Sequence, residues 1–169
     1  MWLPIQNFIT DGTYFLQADP DTTICDPGNN LDVITATYYN GENQGIAIES
    51  SRGYNRIGLV KPDFAAPGIN ILGPLPMIGN TNMSPAERQE SARYGYRSGS
   101  SVAAAITSGT AALLMEWGLV KRNDLSMDTV TIQKYLIRGA NPAGRETPNR
   151  LWGNGLLDLF GVFDSLRPK

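Results

Sequence analysis

The chain has 169 residues, about one domain's worth, with 41% apolar and 18% charged residues and a net charge of −2. That composition supports a globular core, argues against a disordered segment, and leaves no basic cluster to serve as a footprint for nucleic acid. Histidine is absent, so a Ser–His pair, a Cys–His pair or a histidine-ligated metal site cannot be built from this chain alone.

Residues 1–30 are rich in Pro, Asp, Gly and Asn and alternate short apolar pieces with turn signals, which reads as brief strands and loops. The start, MWLPIQNF, has neither a basic region nor an apolar core of the secretory kind, and its Trp2, Leu3 and Ile5 call for burial; the expectation is a chain that starts inside a larger protein. Leu31–Asn40 is β-branched and aromatic and predicts a strand. Gly45–Ser50 predicts a second short one. Ser51–Pro76 is punctuated by prolines and glycines and predicts ordered loop, with a short strand near Ile69–Leu72. The polar stretch that follows reads as a surface excursion, in which Ser84-Pro85-Ala86-Glu87 has the form of a helix start.

Next comes a predicted helix from Ser101 to Trp117 that carries no charge until Glu116. Val102, Ala103, Ala104, Ala105, Ile106, Ala111, Ala112, Leu113, Leu114 and Met115 populate every face of it, and a helix apolar all round is one surrounded by protein. No apolar run reaches the length of a membrane span. Ser126–Ala140 predicts an amphipathic helix with Asp128 near its start and Gly139 near its end. Leu156–Leu166 predicts a short closing helix. Trp117 and Trp152 read as packing residues. The single cysteine, Cys25, has no partner for an intrachain disulfide and no base nearby in sequence.

The mouth of the long helix admits two readings. Gly99, Ser100 and Ser101 can be a plain cap, a feature worth about 1 kcal/mol. Alternatively Ser101 is a nucleophile. The first turn of a helix has backbone N–H groups without intrahelical partners and favours negative charge, so a serine there brings its own N–H to the oxyanion of a tetrahedral acyl intermediate. Gly99 lets the chain turn sharply and a substrate backbone come close.

The stretch GSSVAAAITSGTAAL (Gly99–Leu113) resembles the nucleophile segment of subtilisin-like serine peptidases, Gly-Thr-Ser-Met/Val-Ala followed by a small-residue helix. Ser101 matches the catalytic serine, and Gly99, Ala103 and Gly109 match further positions. Upstream, KPDFAAPGINI (Lys61–Ile71) resembles the family's Lys-Pro-Asp-Ile/Leu-x-Ala-Pro-Gly block, and DVITATYYN resembles its Val-Ile-x-Val-Gly-Ala strand. WGNGLLDLFGVF resembles the segment that closes the catalytic domain. The likeness covers roughly residues 30–165, and the opening residues look like those of clostridial-type members with a jelly-roll insert.

The resemblance implies an α/β fold: the C-terminal portion of a three-layer subtilisin-like domain with a mostly parallel sheet and a buried central helix. Residues 1–30 would end a preceding or inserted β segment, and residues 31–169 would be the catalytic part. It implies peptide-bond hydrolysis through an acyl-enzyme on a peptide or protein substrate; no cofactor is expected, and no residue of this chain is assigned as a metal ligand. Ser101 is the one catalytic residue the chain matches. The family's Asp, His and oxyanion-hole Asn lie N-terminal to the strand block, and nothing here corresponds to them, so a missing N-terminal segment becomes the implied partner. Losing one oxyanion donor costs about 2.7–4 kcal/mol, and losing the base costs more.

Ser100 replaces the family's threonine, and Ala105-Ile106 replaces its Pro-His pair. Lys61, the one lysine before the serine, could in principle replace the base, but the family uses it structurally. Asp63 reads as a residue that fixes its loop by hydrogen bonding. The competing reading is a non-catalytic remnant that binds partners, and a weaker one is an α/β domain unrelated to proteolysis.

Overall fold

The computed structural model describes residues 12–75 and 94–167; the expected helix start at Ser84 lies outside them. Strand β1 runs Ala36–Asn40, inside the predicted Leu31–Asn40, and β2 runs Phe64–Ile69. They pair in parallel, Ala36 opposite Phe64 and Asn40 opposite Ile69, with an irregularity between Tyr39 and Asn40. Residues 155–157 lie along the other edge of β2: the Ala65 N–H donates to the Gly155 carbonyl at 2.9 Å, and the Leu157 N–H donates to the Ala65 carbonyl at 2.8 Å.

β2 is a strand that the sequence reads as loop. Its FAAPGI run has no alternation, because Phe64, Ala65 and Ala66 are covered on both faces as in other parallel strands. Pro67 argues against a strand by sequence alone. Here Ala65 carries the bonds to the second edge, so the missing proline N–H leaves them intact.

Strands β3 (Ile71–Pro74) and β4 (Tyr94–Arg97) form a separate antiparallel ribbon, Ile71 opposite Arg97 and Pro74 opposite Tyr94. The strand expected near Ile69–Leu72 is thus the end of β2 and the start of β3, divided at Asn70, whose φ is 52°. Gly45–Ser50 is not a strand. After β1 the chain folds straight back, with the Asn40 N–H donating to Gly45 and the Ala47 N–H to Tyr38, so a single bridge between Tyr39 and Ile46 is all it forms.

Helix α1 spans Ser100–Met115 and runs on through a π-helical turn, Glu116–Val120. α2 spans Thr129–Gly139, within the predicted Ser126–Ala140, and Asp128 caps it by accepting from the Thr131 N–H at 2.8 Å. α3 spans Leu159–Ser165, shorter than predicted because Leu156 and Leu157 belong to the edge of β2; Asp158 caps it through the Gly161 N–H at 2.9 Å.

Side chains of the sheet alternate between two covers. Tyr38 and Ala66 face α1 at Ala103, whereas Tyr39 and Ala65 face Trp152 and Leu156. At the far end of α1, Leu114 joins Phe64, Met127, Ile132, Leu136 and Val162 in the main core. Trp117 packs edge-on to Tyr135 and Phe163, and Trp152 lies 5.7 Å from Tyr39, so both tryptophans are packing residues as expected.

Within the described residues of this chain, α1 is enclosed on one side. Its buried stripe is Ala103, Thr107, Thr110 and Leu114, while Leu113 is 52% and Met115 42% exposed. The described sheet covers one side of the helix only. The hydroxyls within and beside the stripe are satisfied by back-bonding: Thr107, Ser108 and Thr110 each donate to the carbonyl four residues earlier at 2.9 Å. The expected lack of any run of membrane-spanning length also changes, because the π turn extends the helical run to 21 residues, Ser100–Val120, which is long and apolar enough by length and composition. One side of the helix packs on β1 and β2 through Ala103.

Candidate active site

The entry to α1 is fastened to the C-terminal end of β2. The Gly99 N–H donates to the Gly68 carbonyl at 2.8 Å, and the Asn70 N–H donates to Ser98 Oγ at 2.9 Å. Gly99 has φ 142° and ψ 165°, in a region that side chains rarely reach, so glycine is required there. Gly68 is required for space, because a Cβ would stand 2.7 Å from Tyr38 Cβ and 2.9 Å from the Gly99 carbonyl oxygen. Burial pushes the pKa of the Tyr38 hydroxyl up, and Glu49, whose carboxylate accepts from it at 3.4 Å, adds to the effect.

Ser101 is the second residue of α1 and is exposed. A Cβ on Gly99 would meet its Oγ at 3.5 Å, so the glycine keeps the approach to that hydroxyl open. The N–H groups of Val102 and Ala103 both bond the Gly99 carbonyl, at 3.1 and 3.3 Å. The N–H groups of Ser100 and Ser101 precede them at the positive end of the helix, where no side chain caps and no acidic residue stands in the first turn. The geometry therefore presents a hydroxyl and an amide N–H together, as an acyl-transfer nucleophile needs.

Lys61 and Asp63 stand at the opposite end of β2. Lys61 is 1% exposed; its Nζ donates to the Val33 carbonyl at 2.6 Å and to the Asp63 carboxylate at 2.8 Å. The same carboxylate accepts from the Thr35 N–H at 2.7 Å and from Gln133 Nε2 at 2.8 Å. Asp63 thereby ties the starts of β1 and β2 to α2, which is the loop-fixing role read from its sequence context. A Ser101–Lys61 dyad does not form: the ammonium is held before β2 begins, and Ser101 follows where β2 ends. Among the described residues, no group of three or more Cys, Asp or Glu side chains is gathered as a metal site.

The bond between Gly68 and Gly99 escaped sequence reasoning. Its signal was the glycine of Ala-Pro-Gly together with the glycine before the two serines, a pair whose contact only the fold creates.

Comparison with known proteins gives concordant matches. The profile of the subtilase family matches residues 12–155. Serine protease AprX of Bacillus subtilis (strain 168) is 33% identical over 150 residues, which are 82% of this chain and 31% of AprX. The structure of the CspB protease of Clostridium perfringens superposes with a TM-score of 0.77 at 34% identity, over 91% of this chain and 30% of CspB. Fervidolysin of Fervidobacterium pennivorans, a keratinolytic enzyme related to subtilisin, shares the fold at a TM-score of 0.62 and 23% identity, over 82% of this chain and 20% of its own. The chain thus spans about a third of the length of AprX and CspB. With a profile match over most of its residues and these two relatives above 30% identity, the chain belongs to the subtilase family and has a subtilisin-like α/β fold.

Proposed function

We propose that this chain carries the nucleophile of a serine-type endopeptidase. Ser101 Oγ attacks the scissile carbonyl, and the Ser101 backbone N–H donates to the oxyanion that forms. The observation that carries this reading is the uncapped first turn of α1, where an exposed hydroxyl and a helix-terminal N–H sit over a glycine. Membership of the subtilase family and the serine protease relatives support it. Residues 31–169 act as the C-terminal part of the catalytic domain. With no histidine in the sequence, the base, the aspartate that orients it and the second oxyanion donor come from a further segment that packs by α1, and the chain by itself is inactive.

A fluorophosphonate probe tests this. Ser101 should be labelled when a segment carrying the histidine is supplied, should stay unlabelled without it, and should lose labelling in Ser101→Ala. Absence of labelling in both conditions would instead favour a non-catalytic binding module.

A further inference from the structure

A second concave site lies on the sheet face opposite α1. It is a cavity of about 610 Å³ with Leu151 and Trp152 among its apolar lining and three arginines, Arg52, Arg145 and Arg150, around it. Trp152 packs on Tyr39 and Ala65, the residues that point away from the helix, so this cavity is separate from the Ser101 turn.

Two of the arginines are stacked on rings. The Arg145 guanidinium lies 4.1 Å from the Trp152 ring centroid, and that of Arg150 lies 5.3 Å from Tyr54. Stacking holds each planar group in place while leaving its N–H edge available. Arg145 donates to the carbonyls of Ala143 and Gln44 at 3.3 and 3.0 Å, and Arg150 donates to Asp21 at 2.9 Å. A guanidinium has five N–H donors, so both retain some. The Arg52 side chain has no hydrogen-bond or ion-pair partner among the described residues.

The wall is preformed. Asn149 Oδ1 accepts from the Leu151 and Trp152 N–H groups at 3.0 and 2.9 Å, and the Gly53 N–H donates to the Arg150 carbonyl at 2.8 Å. The ordering that binding still requires here is that of the Arg52 side chain. Asp21 and Glu146 also line the cavity, so three arginines face two carboxylates and one positive charge is in excess.

We propose that this basin is a binding site for an acidic peptide: one side-chain carboxylate bonds the arginines, and a neighbouring apolar side chain rests on Leu151, beside the Arg145 guanidinium that covers the buried Trp152 ring. A single negative charge matches the excess, whereas the second charge of a phosphate dianion would meet Asp21 and Glu146.

The test uses the Ser101→Ala form, so that no peptide is cleaved, and fluorescence anisotropy with a fluorescein-labelled peptide centred on Leu-Glu-Leu. The Glu peptide should bind about tenfold or more tighter than its Leu-Gln-Leu twin, as expected for charge-assisted bonds. Arg52→Gln should remove most of that difference, and Arg52→Lys, which keeps the charge but loses the planar fork, only part of it. Inorganic phosphate should compete poorly. Equal affinity for the two peptides, an Arg52→Gln form that binds like its parent, or displacement by phosphate at concentrations below those of the peptide would each overturn the proposal. Because this basin and the Ser101 turn lie on different faces, either result leaves the probe-labelling test unaffected.

Discussion

The Gly99 amide and the Gly68 carbonyl, 2.8 Å apart, join the first turn of α1 to the last residues of β2. Through that bond the sheet dictates where the Ser101 hydroxyl stands. Gly68→Ala puts a methyl against Tyr38 Cβ and the Gly99 oxygen, so the two segments must part. The expected loss is about 1–3 kcal/mol, the usual range for overpacking. Urea denaturation measures it. Where Ser101 labels with a fluorophosphonate, the labelling rate should fall as well, and a variant of unchanged stability and unchanged rate would show that the contact does not position the turn.

Removing one member of a buried ion pair leaves the other charge without compensation. Lys61→Met should therefore cost about 3–5 kcal/mol. The Asp63 carboxylate would keep Thr35 and Gln133 as donors, yet it would lose the one cationic partner it has among the described residues. A chemical denaturation midpoint close to that of the parent would contradict this account of the pair.

Gly139 lies where α2 meets α3. A methyl there collides with the backbone and side chain of Val162, which is fully buried. Two of the three nearest atoms are Val162 backbone, which has little room to yield, so Gly139→Ala is expected to be destabilising despite the better helix propensity of alanine. A thermal melt checks the sign: a rise in Tm would mean that the helices separate freely.

The loop before α2 should give a pH signature. Asp124 accepts from the Ser126 hydroxyl at 2.7 Å and from the Tyr135 hydroxyl at 2.7 Å; these bonds hold its carboxyl below the usual carboxylate range, the Ser126 bond contributing most. Its contribution to stability is present above the unfolded value of about 3.9 and is lost as pH falls through the lowered folded value. The Tyr135 pKa is raised, first by the bond to Asp124 and then by burial. Its contribution is present below the unfolded value of about 10 and is lost as pH rises through the raised one. Urea midpoints measured against pH should show both limbs, and Tyr135→Phe should weaken both, the raised pKa values of Tyr38 and Tyr39 keeping part of the alkaline one.

Much of the site was legible in the linear chain. A glycine before two serines and an uncharged small-residue run are local patterns that marked the start of α1 and the place of Ser101, and with the Lys-Pro-Asp and Ala-Pro-Gly blocks they carry the family resemblance that implied the fold class. Local chemistry also marked Asp128 as a helix start, because a side-chain cap reaches only a few residues along the chain. Three things needed the fold. β2 has its strand character only because β1 and residues 155–157 bond it from both edges, which no propensity of Phe-Ala-Ala-Pro-Gly-Ile announces. Gly68 meets Gly99 across 31 positions, and the Gly53 N–H meets the Arg150 carbonyl across 97; such contacts are set by how layers stack, not by neighbours in sequence. The exposure of Leu113 and Met115 was hidden for the same reason: apolar character says that a face seeks cover, and only the packed structure shows which side of α1 the described sheet supplies.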